Sequence, residues 1–236
     1  MEAYLEQALH AAPPDRPAAT AEPETVIVLD FGSQFAQLIA RRVRELNVYS
    51  ELLPHDTPWA EIERRAPKAI ILSGGPSSVY DADAPKADPA IWSGRIPVLG
   101  ICYGLQLMAH ELGGEVAASD KREYGPASVQ ITTEDGLFRG IDREQPVWMS
   151  HGDSILRPPD GFRPTAQSDS TAYAGLFDPD RRLYGIQFHP EVAHTPRGRD
   201  ILRNFVVDIA GATQTWTPAS FVETTVAGIR QRVGTG

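Results

Sequence analysis

The chain has 236 residues, 42% of them hydrophobic, enough to bury one sizeable core and at most one domain with extensions. A net charge of −9 and the lack of any basic stripe exclude a nucleic-acid or anionic-membrane surface, which needs clustered Lys and Arg. The apolar runs are far too short to span a bilayer, no secretory signal core opens the chain, and a single cysteine excludes a disulfide framework, so a reducing cytoplasm is expected.

Residues 1–24 are rich in Ala, Pro and Glu and lack a sustained apolar period; they read as a disordered extension. The pattern changes at Val26. A strand over 26–30 leads through a Gly-Ser turn into an amphipathic helix over 34–46, with Phe35, Leu38, Ile39, Val43 and Leu46 on one face. A second strand over 48–53, a short helix over 59–65 and a third strand over 69–72 follow, the last running into Ser73-Gly74-Gly75-Pro76. A stretch rich in Pro and Asp up to Pro89 reads as a long loop, with Asp81, Asp83 and Asp88 in solvent. A fourth strand over 96–101 precedes a helix over 105–112. Short apolar strands alternating with helices predict an α/β fold, a mainly parallel twisted sheet flanked by helices. Past Gly113 the segments 129–132, 147–149, 172–177 and 183–188 read as further strands, the last two joined by a hairpin turn at Asp178-Pro179-Asp180, and the fold is expected to include added antiparallel strands. A helix over 200–209 closes a domain expected at 25–212, and the tail 213–236 carries a short helix over 218–233.

The strongest chemical signal is Gly100-Ile101-Cys102-Tyr103-Gly104, at the junction of an apolar strand and a helix. It has the form of a nucleophile elbow with Cys in place of Ser. Small residues two positions to either side permit the sharp turn, and the sulfur is placed at a helix N-terminus, where the dipole favours thiolate. The competing reading is a small buried Cys with no chemistry. In Gln187-Phe188-His189-Pro190-Glu191, residues two apart on extended chain project to one side, so Glu191 can orient the His189 imidazole; the plain alternative is a surface His beside an unrelated Glu. Ser73-Gly74-Gly75-Pro76 is either a strand-ending turn or a source of backbone N–H groups that, with the N–H of Tyr103, receive an oxyanion. Ser150-His151-Gly152-Asp153 is either a capped turn or the lining of a pocket for a zwitterion or a partner. The remaining histidines have no companions with metal-ligand spacing.

Together these segments resemble the class I, triad-type glutamine amidotransferases, a flavodoxin-like fold, and most closely the N-terminal glutaminase domain of the GMP synthetases. The likeness runs from about Val26 to about Trp216 and is carried by Val28-Leu29-Asp30-Phe31-Gly32-Ser33-Gln34, Ser73-Gly74-Gly75-Pro76 with Tyr80, the elbow with Gln106, Ser150-His151-Gly152-Asp153, and His189-Pro190-Glu191 with His194-Thr195. The resemblance implies Cys102 as nucleophile, His189 as general base and acid, Glu191 as orienting carboxylate, the N–H groups of Gly75 and Tyr103 as oxyanion hole, and Gln106 as a substrate contact. Ser150, His151, Gly152 and Asp153 join it as further substrate-binding candidates. L-Glutamine is the implied substrate, and the glutaminase half-reaction needs no metal or other cofactor. The implied partner is an ATP pyrophosphatase domain or subunit, in which alone ATP and Mg are expected. Its Ser-Gly-Gly-x-Asp-Ser loop does not occur here, so an excised domain, or next a separate glutaminase subunit, is expected. Rival readings are the glutaminase subunit of anthranilate or aminodeoxychorismate synthesis, a γ-glutamyl peptide hydrolase, and a silent docking module of the same fold.

Overall fold

The computed structural model describes residues 23–134 and 136–233; residues 1–22 of the extension expected at 1–24 and the last three residues of the tail lie outside the described residues. A compact unit spans Pro23–Pro218. Within it a nine-stranded sheet has the order β2-β1-β3-β4-β9-β8-β7-β5-β6. Strands β1 (Thr25–Asp30), β2 (Tyr49–Pro54), β3 (Ala69–Leu72), β4 (Val98–Ile101) and β9 (Leu183–Ile186) pair in parallel. From β9 outward, β8 (Gly175–Asp178), β7 (Arg163–Ser168), β5 (Glu115–Ile131) and β6 (Glu144–Arg157) pair antiparallel.

The parallel strands are near-continuous apolar runs because both of their faces are covered. Val26 and Val28 of β1 point into one core with Ile39 and Val43 of α1 (Ala36–Arg44) and with Ile201 and Leu202 of α4 (Gly198–Arg203). Ile27 and Leu29 point into the other, with Ile62 of α2 (Trp59–Arg64) and with Leu105, Leu107 and Met108 of α3 (Tyr103–Glu111). The expected helical face at 34–46 holds for Ile39, Val43 and Leu46, which are buried, with Phe35 and Leu38 half-buried at its margin. Past Arg203 the chain passes into a π-helical segment, Asn204–Ile209, where the Ala210 N–H reaches back to the Phe205 carbonyl. The buried Asn204 amide donates to the carbonyls of Leu137 and Arg139 at 2.9 Å each and ties that segment to the loop after β5.

The antiparallel half departs from the sequence reading. β5 and β6 are 17 and 14 residues long, not the short segments expected at 129–132 and 147–149, and β7 has no counterpart among the expected strands. The physical reason is visible along β6, where Gln145, Val147, Met149, His151 and Asp153 are buried in strict alternation. The period of two continues, but its inward residues turn from apolar to polar, and polarity reads as a turn. Ser150 to Asp153 is therefore strand, not a capped turn. Asp88 also departs from a merely solvated role: its carboxylate accepts from the N–H of Trp59 at 2.8 Å and of Ala90 at 3.0 Å, fixing the start of α2 and of a 3-10 turn, Pro89–Ser93. Asp81 and Asp83 are exposed, as expected. At Asp178 the expected turn is present, its Oδ1 accepting from the N–H groups of Asp180 and Arg181. The helix α5 (Pro218–Val233) forms over the predicted span.

Candidate active site

Strands β3, β4 and β9 are neighbours in parallel, so their C-terminal ends reach one edge of the sheet together. Each delivers one part of the site: Gly74 and Gly75 after β3, Cys102 after β4, Gln187 and His189 after β9. The turn at Cys102 is forced. Its backbone has φ 52 and ψ −105, a conformation that costs a non-glycine residue roughly 1–3 kcal/mol and persists where the surroundings impose it. Here they do so by contact. A Cβ on Gly100 would lie 2.6 Å from the Gly104 backbone, and one on Gly104 would lie 2.6 Å from Leu72 Cβ. The Cys102 N–H donates to Ile186 of β9 at 2.8 Å, and its carbonyl accepts from the Gln106 N–H as α3 begins.

Cys102 is 4% exposed, yet it lines a cleft of about 580 Å³ together with Gly75, Gln106, Ser150, His151, Gly152, Asp153 and His189. Of the catalytic, oxyanion-hole and substrate-binding candidates, all but Tyr103 and Glu191 line this cleft; Tyr103 follows Cys102 in the chain and Glu191 is hydrogen-bonded to His189. His189 Nδ1 donates to Glu191 Oε1 at 2.7 Å, which leaves Nε2 for the thiol. Glu191 is wholly buried, and its Oε2 has no hydrogen-bond partner among the described residues. Burial opposes charge on the His189 imidazole, but hydrogen bonds to Cys102 and Glu191 outweigh it and push its pKa up to about 10. The segment carrying the pair is clamped: the His189 N–H donates to the Trp148 carbonyl at 3.0 Å, Thr195 Oγ1 donates to the His189 carbonyl at 2.6 Å, and Arg42 Nε donates to the Glu191 carbonyl at 2.9 Å. The N–H groups of Gly75 and Tyr103 have no acceptor among the described residues. Gly75 lines the cleft with Cys102, and Tyr103 follows the sulfur-bearing residue at the start of α3.

Three contributions lie beyond the sequence reading of the site. Gln187, 1% exposed, donates its amide to Cys102 Sγ at 3.5 Å. Its Oε1 accepts from Gln106 Nε2 at 3.1 Å, and the same nitrogen donates to the Asp153 carbonyl at 3.0 Å. Gln106 thus spends both N–H bonds inside the protein and keeps only Oε1 for a substrate. Tyr80 donates its hydroxyl to Asp153 Oδ1 at 2.9 Å. Glu123 of β5 faces His151 Nε2 at 3.1 Å, while His151 Nδ1 faces the Asp153 carbonyl at 2.9 Å. Gln187 stands two residues before His189 in the quoted motif, and that period of two is the available signal; the Tyr80 and Glu123 contacts join residues 73 and 28 positions apart and leave no local trace.

The model of the family described as glutamine amidotransferase class-I matches residues 27–209. The chain is 53% identical over 211 residues to a "GMP synthase [glutamine-hydrolyzing]" of Syntrophomonas wolfei, a match covering 89% of this chain and 41% of that protein. The chain belongs to the class-I glutamine amidotransferase family. A Parafrankia GMP synthase is similarly 53% identical, with 90% of this chain and 40% of the relative covered, so this class-I amidotransferase chain spans about two fifths of these relatives' length. Among solved structures, a Thermoplasma acidophilum protein provisionally assigned to GMP synthase as one of its subunits superposes with TM-score 0.71 at 31% identity, covering 87% of this chain and 99% of its own. A glutamine amidotransferase of Thermotoga maritima shares the fold at TM-score 0.60 and 21% identity, with 90% and 94% covered.

Proposed function

We propose that this class-I amidotransferase chain hydrolyses L-glutamine to glutamate and ammonia through a thioester on Cys102, and that the ammonia aminates XMP to GMP in an ATP pyrophosphatase domain or subunit. The observation that carries the reading is that Cys102 and His189, the latter backed by Glu191, share a cleft of about 580 Å³ with Gly75. The Cys102 thiolate attacks Cδ of glutamine, and the carbonyl oxygen becomes an oxyanion held by the N–H groups of Gly75 and Tyr103. The imidazolium of His189 gives its Nε2 proton to the departing nitrogen, the C–N bond breaks, and ammonia leaves a γ-glutamyl thioester. His189 then takes a proton from water, the hydroxide adds to the thioester carbonyl, and collapse frees glutamate and restores the thiolate–imidazolium pair. Glu191 accepts from Nδ1–H throughout and holds the imidazole in place. Proton transfer of this kind contributes about 10²–10⁴-fold and one oxyanion donor about 10²–10³-fold. A reducing cytoplasm suits a reaction that depends on a free thiol.

The amination of a nucleotide is supported by the similarity to proteins named GMP synthase, of which this chain matches the glutaminase portion. The test is glutamate release from glutamine, with and without a synthetase partner loaded with ATP and XMP. Slow release by the chain alone and acceleration by the loaded partner are expected. A wild-type chain that releases no glutamate under either condition would sink the reading.

A further inference from the structure

We infer that Ser73 is a positioning residue whose hydroxyl holds the Gly74–Gly75 peptide with the Gly75 N–H turned toward Cys102, opening the oxyanion hole before substrate arrives. This rests on the proposed glutaminase chemistry and adds to it a residue that never touches the substrate.

Space demands glycine at 75 and leaves little room for more at 74. A Cβ on Gly75 would sit 2.7 Å from the Phe31 carbonyl oxygen, and one on Gly74 would sit 3.1 Å from His189 Cε1 and 3.7 Å from Cys102 Cβ. Two successive glycines bring a freedom the site cannot use, because the peptide between them can turn over at little steric cost. Turned over, it would present the Gly74 oxygen to the developing oxyanion, lone pair against negative charge. Something must set the peptide's face, and Ser73 is placed to do so. It is wholly buried, and its own backbone is fixed on both sides, the N–H donating to Leu29 at 3.0 Å and the carbonyl accepting from Gly104 at 3.2 Å. Its Oγ accepts from the Phe31 N–H at 3.0 Å and lies 2.8 Å from the Gly74 carbonyl oxygen. A hydroxyl has one proton; because the Phe31 group is a donor, that proton goes to Gly74 O. The peptide is planar and trans, so its C=O and the following N–H point in opposite directions. Gripping the Gly74 oxygen from the β3 side therefore turns the Gly75 N–H to the other side, where Gly75 and Cys102 line the same cleft.

The test separates carbonyl attack from simple alkylation. Iodoacetamide reacts with the thiolate by displacement at a saturated carbon and builds no oxyanion, whereas glutamine hydrolysis builds two. For Ser73→Ala, kcat for glutamate release is expected to fall about 10–100-fold with KM within about threefold, while iodoacetamide modifies Cys102 at within about twofold of the wild-type rate. Glutamine should still protect Cys102 from the reagent, showing that the cleft is folded and binds. Hydrolysis at the wild-type rate in Ser73→Ala would overturn the inference. So would a parallel loss of hydrolysis, alkylation and protection, which would mark the hydroxyl as part of the fold. Failure of the glutaminase reading shows separately, as a wild-type chain that alkylates but releases no glutamate.

Discussion

The parallel and antiparallel halves of the sheet supply different things to one cleft. From the ends of β3, β4 and β9 come the sulfur, the imidazole and the glycine N–H, all held by short backbone bonds within a doubly covered layer. From β6 come Ser150 to Asp153, and from β5 Arg122 and Tyr124, which wall the cleft on the far side. The ribbon is covered less fully: Tyr124 is 68% exposed, whereas every residue of β3 is wholly buried. If the proposed chemistry holds, the difference is a division of labour, with the reacting atoms on the doubly covered layer and the substrate contacts on the more exposed ribbon. Changes in the first half should fall on kcat or on stability, and changes in the second on KM.

The largest expected effect is that of Cys102→Ala, which should lower glutamate release by at least about 10⁴-fold while the melting temperature moves by no more than a few degrees. Loss of folding instead would make the sulfur structural and remove the contrast. Glu191→Gln should cost about 10²-fold in kcat, because an uncharged partner cannot stabilise the imidazolium. The His189 pKa, about 10 against an ordinary 6.5, should fall in this variant, as read by imidazole NMR. The sign of the linked stability follows. A raised pKa gives the folded state a contribution that is complete below about pH 6.5 and lost as pH rises through about 10. The stability deficit of Glu191→Gln in urea should therefore be greatest below pH 6.5 and shrink toward pH 10. A deficit that grows with pH would contradict the assigned pair.

Gly100→Ala should destabilise by about 1–3 kcal/mol in urea denaturation, since the new methyl group meets backbone that cannot yield. An unchanged midpoint would show the elbow to be softer than its contacts imply. The smallest effect sharpens the other half. Tyr80→Phe removes the hydroxyl that Asp153 accepts at 2.9 Å and is expected to raise KM for glutamine about 3–10-fold with kcat within about twofold. A fall in kcat with unchanged KM would put Tyr80 on the chemical side of the cleft and break the division.

The same two halves differ in how far they are legible in the sequence. Strand β3 can be placed to the residue, and the elbow and the His-Pro-Glu segment can be located with the correct donor and acceptor, because an apolar run, a glycine two positions away and an i,i+2 pair are all local patterns. β7 escapes such a reading because Arg163-Pro164-Thr165-Ala166-Gln167-Ser168 carries only two wholly buried residues, Thr165 and Ala166. The long ribbon reads as too short because its inward positions include His151 and Asp153, whose burial is tolerated only against Glu123, Gln106 and Tyr80 brought from elsewhere.

By itself the sequence determined the alternation of strands and helices, the glycines that the sharp turn at Cys102 requires, and the pairing of His189 with Glu191. Only the tertiary structure decided that β3, β4 and β9 end side by side, that Gln187 donates to the sulfur, and that polar residues of β6 face inward. The reason is range: steric demands between near neighbours are written in consecutive residues, whereas buried polar residues such as His151 and Asp153 are met by partners from distant segments, and those partners are chosen by the fold.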